Sequence, residues 1–171
     1  SRLAAEKLRH PAVESYMGYY LLGSTAPDVR SITGEKRKQY HFTDLDFTSI
    51  GDGVRGLLKA YPDLAPSTIN HEPTLAFVAG YITHLVLDES WITDMYRPYF
   101  GNPEVFQESV KGKVMDRALQ LDLDRLSHKK IQTTISLLDH VSDEIKVPFI
   151  ARKTLCNWRL FVTTLIHRGF S

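Results

Sequence analysis

Apolar residues recur at helical spacing along most of this chain. The pattern predicts helices over 1–9, 12–22, 46–61, 74–96, 104–121, 127–145 and 148–168. The segment 74–96 is apolar almost all round, which is typical of a buried central helix. No sustained alternation of apolar and polar residues predicts a strand. We therefore predict an all-α fold, a multi-helix bundle that forms a single domain over residues 1–171.

Glycine, proline and polar clusters interrupt this pattern at three places. A turn-like sequence at 23–28 follows the second predicted helix, and three prolines mark 61–73 as a connection. Residues 30–40 are polar and basic, with Gly34 near their centre. We predict a mobile loop there, and its length makes it a candidate functional segment.

The composition of the 171 residues is that of a globular protein, with 43% hydrophobic and 24% charged residues. A net charge of +1 argues against a general nucleic-acid-binding surface. The single cysteine, Cys156, excludes an internal disulfide framework and a cysteine-rich zinc finger. Any metal site would therefore need histidine and carboxylate ligands. No run reaches the roughly 18 apolar residues of a transmembrane helix.

The cellular compartment is predicted from the cysteine content and from the start of the chain. A single cysteine favours a reducing compartment, so we expect a cytoplasmic location. No signal peptide is visible. Because the chain begins at Ser1, inside a predicted helix and without an initiator methionine, we expect that residues precede it, and secretion stays open.

The sharpest chemical feature is the sequence 80–91, in which His84 and Asp88 lie four residues apart. On a helix this spacing places an imidazole and a carboxylate on one face, an arrangement suited to a zinc-like ion. A buried hydrogen bond between the two side chains is the alternative. An ionised carboxylate on an apolar helix is costly to bury without a cation, which would be Lys, Arg or a metal. Gly80, one turn earlier, leaves room for an ion or for a neighbouring backbone.

Two more residues complete a candidate ligand set. Asp28 follows a proline just after a predicted helix, where an acid is commonly only a turn residue. His41 lies between two aromatic residues, where packing is the commoner role. Taken with His84 and Asp88, they supply two imidazoles and two carboxylates, which suit zinc or another first-row divalent ion.

Weaker candidates lie on either side of this set. His140 and Glu144 repeat the four-residue spacing and are candidate ligands of a second metal, although their polar surroundings favour an exposed pair. The basic loop supplies candidate contacts for an anionic substrate, with a solvated loop as the alternative. Its residues are Arg30, Lys36, Arg37 and Lys38.

The chain resembles the zinc-dependent phospholipase C family in three segments. These are residues 22–28, His41, and the sequence G-Y-x-x-H-x-x-x-D-x-x-W at 80–91. The P1-type nucleases are more distant members of the same all-α fold. The resemblance covers roughly residues 15–95. It implies the same all-α fold for the chain. It also implies that Asp28, His41, His84 and Asp88 bind one zinc ion.

The resemblance also implies a second metal site, for which His140 and Glu144 match the expected H-x-x-x-E pair. The further histidine expected soon after Asp88 is absent, so we expect one or two ions rather than three. The implied activity is hydrolysis of a phosphoric ester, either a phospholipid head group or another phosphodiester, by a metal-activated water. Asp28 is the candidate general base, because a carboxylate beside such a water can accept its proton.

Three other functions are alternatives to hydrolysis. A non-catalytic helical interaction module would keep the metal site, or only its shape. The absence of the histidine expected soon after Asp88 favours this module. A phosphohydrolase of the HD type would need an adjacent His-Asp pair, which the sequence lacks. Nucleic-acid binding through 30–38 is disfavoured by the net charge of +1 and the shortness of the basic run.

Overall fold

The computed structural model of the chain describes Ala4, Lys7 and residues 10–141 and 144–168, without the side chains of 128–134. The α-helices in this part of the chain are α1 (Pro11–Ser15), α2 (Met17–Gly23), α3 (Arg30–Thr33), α4 (Arg37–His41), α5 (Asp52–Ala60), α6 (Glu72–Trp91), α7 (Ser109–Asp139) and α8 (Arg152–Arg168). Two short 3-10 helices, Ala26–Val29 and Pro62–Leu64, and a π-helical segment, Ile92–Phe100, complete them. No strand occurs among the described residues, and the predicted all-α class is confirmed.

Helix α6 lies at the centre of the bundle, as its apolar pattern predicts. Its residues Phe77, Val78 and Tyr81 are fully buried in the main hydrophobic core, which also contains side chains of α2, α7 and α8. Helices α1, α2 and α5 pack against α6, and α2 also packs against α7. Even α6 lacks the combination of length and apolar character that a bilayer span requires, and so do the other described helices.

Two glycines allow α2 and α6 to touch backbone to backbone. A Cβ atom on Gly80 would lie 2.0 Å from the Tyr20 carbonyl oxygen, and one on Gly23 would lie 2.0 Å from the Phe77 carbonyl oxygen. Of the two roles predicted for Gly80, room for a neighbouring backbone is therefore the one found. The contact fixes α6 against the turn that leads to Asp28.

The structure corrects several predicted segments. Residues 30–40 are not one loop, because α3 and α4 form there on either side of a left-handed turn at Gly34 (φ 73°). The two helices predicted over 104–121 and 127–145 are a single helix, α7, since no glycine or proline lies between them. The helix predicted over 46–61 begins only at Asp52. The helix predicted over 1–9 falls almost entirely outside the described residues.

Candidate metal centre

Asp28 lies in the 3-10 helix Ala26–Val29, whose other three residues are buried. The Asp28 side chain itself is 53% exposed. The preceding turn is tied to α8, because Trp158 Nε1 donates a hydrogen bond of 3.0 Å to Thr25 Oγ1. The backbone at Asp28 is therefore anchored on both sides, while its carboxylate stays open to solvent.

His41 is the last residue of α4, and only 1% of its side chain is exposed. The helix ends there because Phe42 adopts a left-handed conformation (φ 59°), which is uncommon for a bulky residue. The Tyr81 hydroxyl donates a hydrogen bond to the Tyr40 carbonyl oxygen, which links the end of α4 to α6. These contacts hold the His41 imidazole beside the central helix.

His84 lies on α6, and its orientation is set by a hydrogen bond of 2.9 Å between its Nδ1 atom and the Ser24 carbonyl oxygen. A carbonyl oxygen can only accept, so Nδ1 carries the proton and donates it. The Nε2 atom then holds the free lone pair. A histidine whose other ring nitrogen donates to a carbonyl is the usual arrangement of a metal ligand in proteins.

The three side chains converge, although they come from three separate segments. One ligand atom from each of Asp28, His41 and His84 lies within 4.8 Å of the others. The Asp28 oxygens are 3.9 Å from His41 Nε2 and 4.0 Å from His84 Nε2, which is too far for hydrogen bonds. Ligand atoms of a tetrahedral zinc ion lie about 3.4 Å apart, so these side chains would have to draw together by roughly 0.5 to 1.4 Å to bind one ion.

The two histidines leave buried nitrogen atoms without protein partners. His84 Nε2 and both ring nitrogens of His41 are buried and make no hydrogen bond. Buried polar atoms are normally paired, because leaving one unpaired costs about 1–3 kcal/mol. Two imidazole nitrogens and one carboxylate are the donor types that zinc takes, so the residues present fit this ion.

The electrostatics of the pocket favour the form of His41 that binds metals. Burial lowers the pKa of His41 to about 3, and the positive charge of Arg37 acts in the same direction. Asp88 opposes this shift, while His84 and Arg30 add to it. The imidazole is therefore neutral at pH 7, which is the protonation state that a metal requires. Its contact with Asp28 is consequently not an ion pair.

Asp88, the predicted fourth ligand, has a different partner and does not join this group. Both terminal nitrogens of Arg37 donate to its carboxylate, from Nη1 to Oδ1 at 3.4 Å and from Nη2 to Oδ2. The cation that a carboxylate on an apolar helix needs is thus supplied by α4. Asp88 Oδ1 nevertheless lies 3.9 Å from His41 Nε2.

The remaining predicted residues lie apart from this centre or at its margin. Helix α7 ends at Asp139, and Glu144 lies in a turn, so His140 and Glu144 do not share a helix face as predicted. Both are exposed, and their role as ligands of a second ion stays a prediction. Arg37 is mostly buried instead of lying on a mobile loop, whereas Arg30, Lys36 and Lys38 are exposed.

Sequence reasoning missed Glu89, which is 1% exposed and follows Asp88 on α6. Its carboxylate accepts hydrogen bonds from the backbone N–H groups of Gly51 and Gly53, the latter at 2.6 Å. These contacts hold the start of α5 against α6, and a Cβ on Gly53 would lie 2.6 Å from the His41 carbonyl oxygen. The cost of burying an acid on an apolar helix, which singled out Asp88, applies equally to Glu89.

Glu89→Gln is expected to lower the free energy of unfolding by about 2 kcal/mol, because one of two charge-assisted hydrogen bonds is lost. Urea unfolding followed by circular dichroism measures the change. Glu104→Gln, at an exposed position in a turn, is the matched control and should change stability by less than about 0.5 kcal/mol. Equal stability of the Glu89 variant and the wild type would contradict the role assigned to this side chain.

Comparisons with known proteins add no family to this picture. No protein-family model matches the chain, and no curated protein or solved structure is significantly similar to it. The resemblance to the zinc-dependent phospholipases C therefore rests on the motif residues alone. The geometry of Asp28, His41 and His84 is the independent observation.

Proposed function

We propose that this chain is a metal-dependent hydrolase of phosphoric esters, with a zinc ion held by Asp28, His41 and His84. The observation that carries the proposal is the convergence of three ligand atoms within 4.8 Å of one another. The buried nitrogens without partners support it, because an ion would satisfy His84 Nε2 and His41 Nε2 at once. The resemblance to the zinc-dependent phospholipases C agrees with the same three residues.

The number of ligands favours a catalytic rather than a structural ion. Structural zinc sites are closed by four protein ligands, whereas catalytic sites use three and keep one position for water or substrate. Asp28 faces solvent with about half of its side chain, so the position beside it is accessible. A site of this kind can exchange water and admit a substrate.

Each residue has a separate chemical task in the proposed reaction. When bound, a divalent ion supplies a positive charge that stabilises the phosphoryl oxygens and lowers the pKa of a water molecule to about 7. His41 and His84 would hold the ion through their Nε2 atoms. Asp28 has two oxygens, so it can ligate with one and accept the proton of the attacking water with the other.

Positive charge beside the ligands supports an anionic substrate. Arg37 and Arg30 both lie near enough to His41 to lower its pKa. Lys36 and Lys38 are exposed on the same segment of chain. Cationic groups at one site raise the local concentration of an anion and stabilise charge that develops during phosphoryl transfer. A phosphate ester is the substrate class that fits this arrangement.

The decisive experiment is a hydrolysis panel with zinc-reconstituted protein. Its substrates are p-nitrophenyl phosphate, bis-p-nitrophenyl phosphate, p-nitrophenyl phosphorylcholine and a short-chain phosphatidylcholine, each tested with and without a chelator. We expect turnover of at least one ester that chelation removes and added zinc restores. Turnover that persists in chelator would overturn the proposal, because the site would then work without metal.

A non-catalytic helical module is the second candidate, and the Arg37–Asp88 pair favours it because it occupies one predicted ligand. Metal analysis by mass spectrometry, run with the same panel, separates the two functions. Stoichiometric zinc with no turnover of any ester supports the module. Absence of zinc after reconstitution argues against a metal role in either function.

A further inference from the structure

The contact between Arg37 and Asp88 lies directly beside the candidate metal centre. Asp88 Oδ1 is 3.9 Å from His41 Nε2, the same separation that Asp28 Oδ1 keeps from this atom. One oxygen of Asp88 is therefore as close to His41 Nε2 as the carboxylate of Asp28, which belongs to the candidate metal centre. The same oxygen accepts a hydrogen bond from Arg37 Nη1. Arg37 and a metal ion would compete for one carboxylate.

The surroundings of the Arg37 side chain suit it to bind an anion beside the candidate metal centre. Its side chain is 14% exposed, and its Nε atom is buried without a partner. The guanidinium group presents a planar fork of N–H donors that binds a carboxylate or a phosphate in the same bidentate way. A phosphate could therefore take over the donors that now bind Asp88, and it could also use the Nε–H.

We propose that Arg37 is an anion subsite kept closed by Asp88, and that a phosphate group on Arg37 releases Asp88 to the metal as a further ligand beside the three residues and the water, since a catalytic zinc ion can take a fifth ligand during the reaction. This inference rests on the proposed function. Its substrate class is a phosphate ester with at least two non-bridging oxygens, as mono- and diesters have. Because coupling between two ligands is reciprocal, the anion must tighten metal binding as much as the metal tightens anion binding.

Two other accounts of Arg37 make different predictions. If its positive charge simply repels the ion, removing that charge tightens zinc binding whatever residue occupies position 88. If the pair only stabilises the fold, removing Arg37 leaves zinc affinity unchanged or weakens it. If Arg37 withholds Asp88, removing Arg37 tightens zinc binding only while Asp88 is present.

A double-mutant cycle distinguishes these accounts. Zinc dissociation constants of the wild type, Arg37→Gln, Asp88→Asn and the double variant are measured by competition with a chromophoric chelator. We expect Arg37→Gln to bind zinc about tenfold more tightly than the wild type, and the gain to vanish in the Asp88→Asn background. An equal gain in both backgrounds, or no gain in either, overturns the inference.

A second arm tests the anion with phenylphosphonate, a non-hydrolysable phosphate analogue. In the wild type, phenylphosphonate should tighten zinc binding about tenfold. In Asp88→Asn the gain should be smaller, because only the direct contact between the phosphonate and the zinc ion would contribute to it. An equal gain in both proteins overturns the inference. Melting temperatures of all four proteins show that each is folded.

The outcomes separate this inference from the function on which it rests. If no protein of the cycle binds zinc, the proposed function and the inference both fail. If the wild type binds zinc and hydrolyses an ester while the cycle shows no coupling, only the inference fails.

Discussion

His84→Ala is expected to weaken zinc binding by roughly 100-fold or more, at least as much as the loss of an outer-shell partner, and to reduce ester hydrolysis to background, since it removes one of three ligands. The variant also deprives the Ser24 carbonyl of its donor, which disturbs the turn that leads to Asp28. Zinc affinity by chelator competition and initial rates of hydrolysis, both on the zinc-reconstituted protein, measure the two effects.

His140→Ala is the matched control for this variant. It makes the same chemical change at an exposed histidine beyond the end of α7, so zinc affinity and hydrolysis should stay within twofold of the wild type. Circular dichroism shows whether each variant keeps its helices. A folded His84→Ala protein with full zinc affinity would remove His84 from the site and with it the proposed centre.

Gly80→Val is expected to leave the chain unable to reach its native fold. A Cβ at this position would meet the Tyr20 carbonyl oxygen at 2.0 Å, and a valine adds two methyl groups to that overlap. Backbone atoms cannot rotate away as a side chain does, so α2 and α6 would have to separate. We expect a loss of more than about 4 kcal/mol, comparable to the whole stability of many domains. The measurement is urea unfolding followed by circular dichroism.

Leu87→Val on the same helix controls for the cost of a β-branched residue in α6. Its side chain is exposed, so the change should cost less than about 1 kcal/mol. If Gly80→Val unfolds at the same urea concentration as this control, the two backbones do not touch as described.

The all-α class and the central helix could be predicted from the sequence because burial leaves a direct pattern. Helix α6 is apolar almost all round, and its fully buried residues confirm that it lies in the core. The short helices α3 and α4 could not be predicted in this way. They are polar, with few apolar positions to set a period. Contacts made by the folded chain, such as that of the Tyr81 hydroxyl with Tyr40, hold α4 in place.

The candidate site was predicted in part for a similar reason. His84 and Asp88 were visible as a pair because a helix converts their spacing into proximity. The partner of Asp88 could not be predicted, because Arg37 lies 51 residues away in the sequence and no local pattern indicates a contact over that distance. Glu89 was equally hidden, because its partners are backbone N–H groups of another helix.

The order of the three ligands along the chain has a consequence for folding. An ion bound by Asp28, His41 and His84 would act as a reversible cross-link between residues that the unfolded chain keeps far apart. It would close the loops 28–41 and 41–84. The loss of chain entropy on closing these loops has already occurred in the folded protein. Metal release should therefore coincide with cooperative loss of the native state in a denaturant titration, so a zinc-sensitive dye would report global folding.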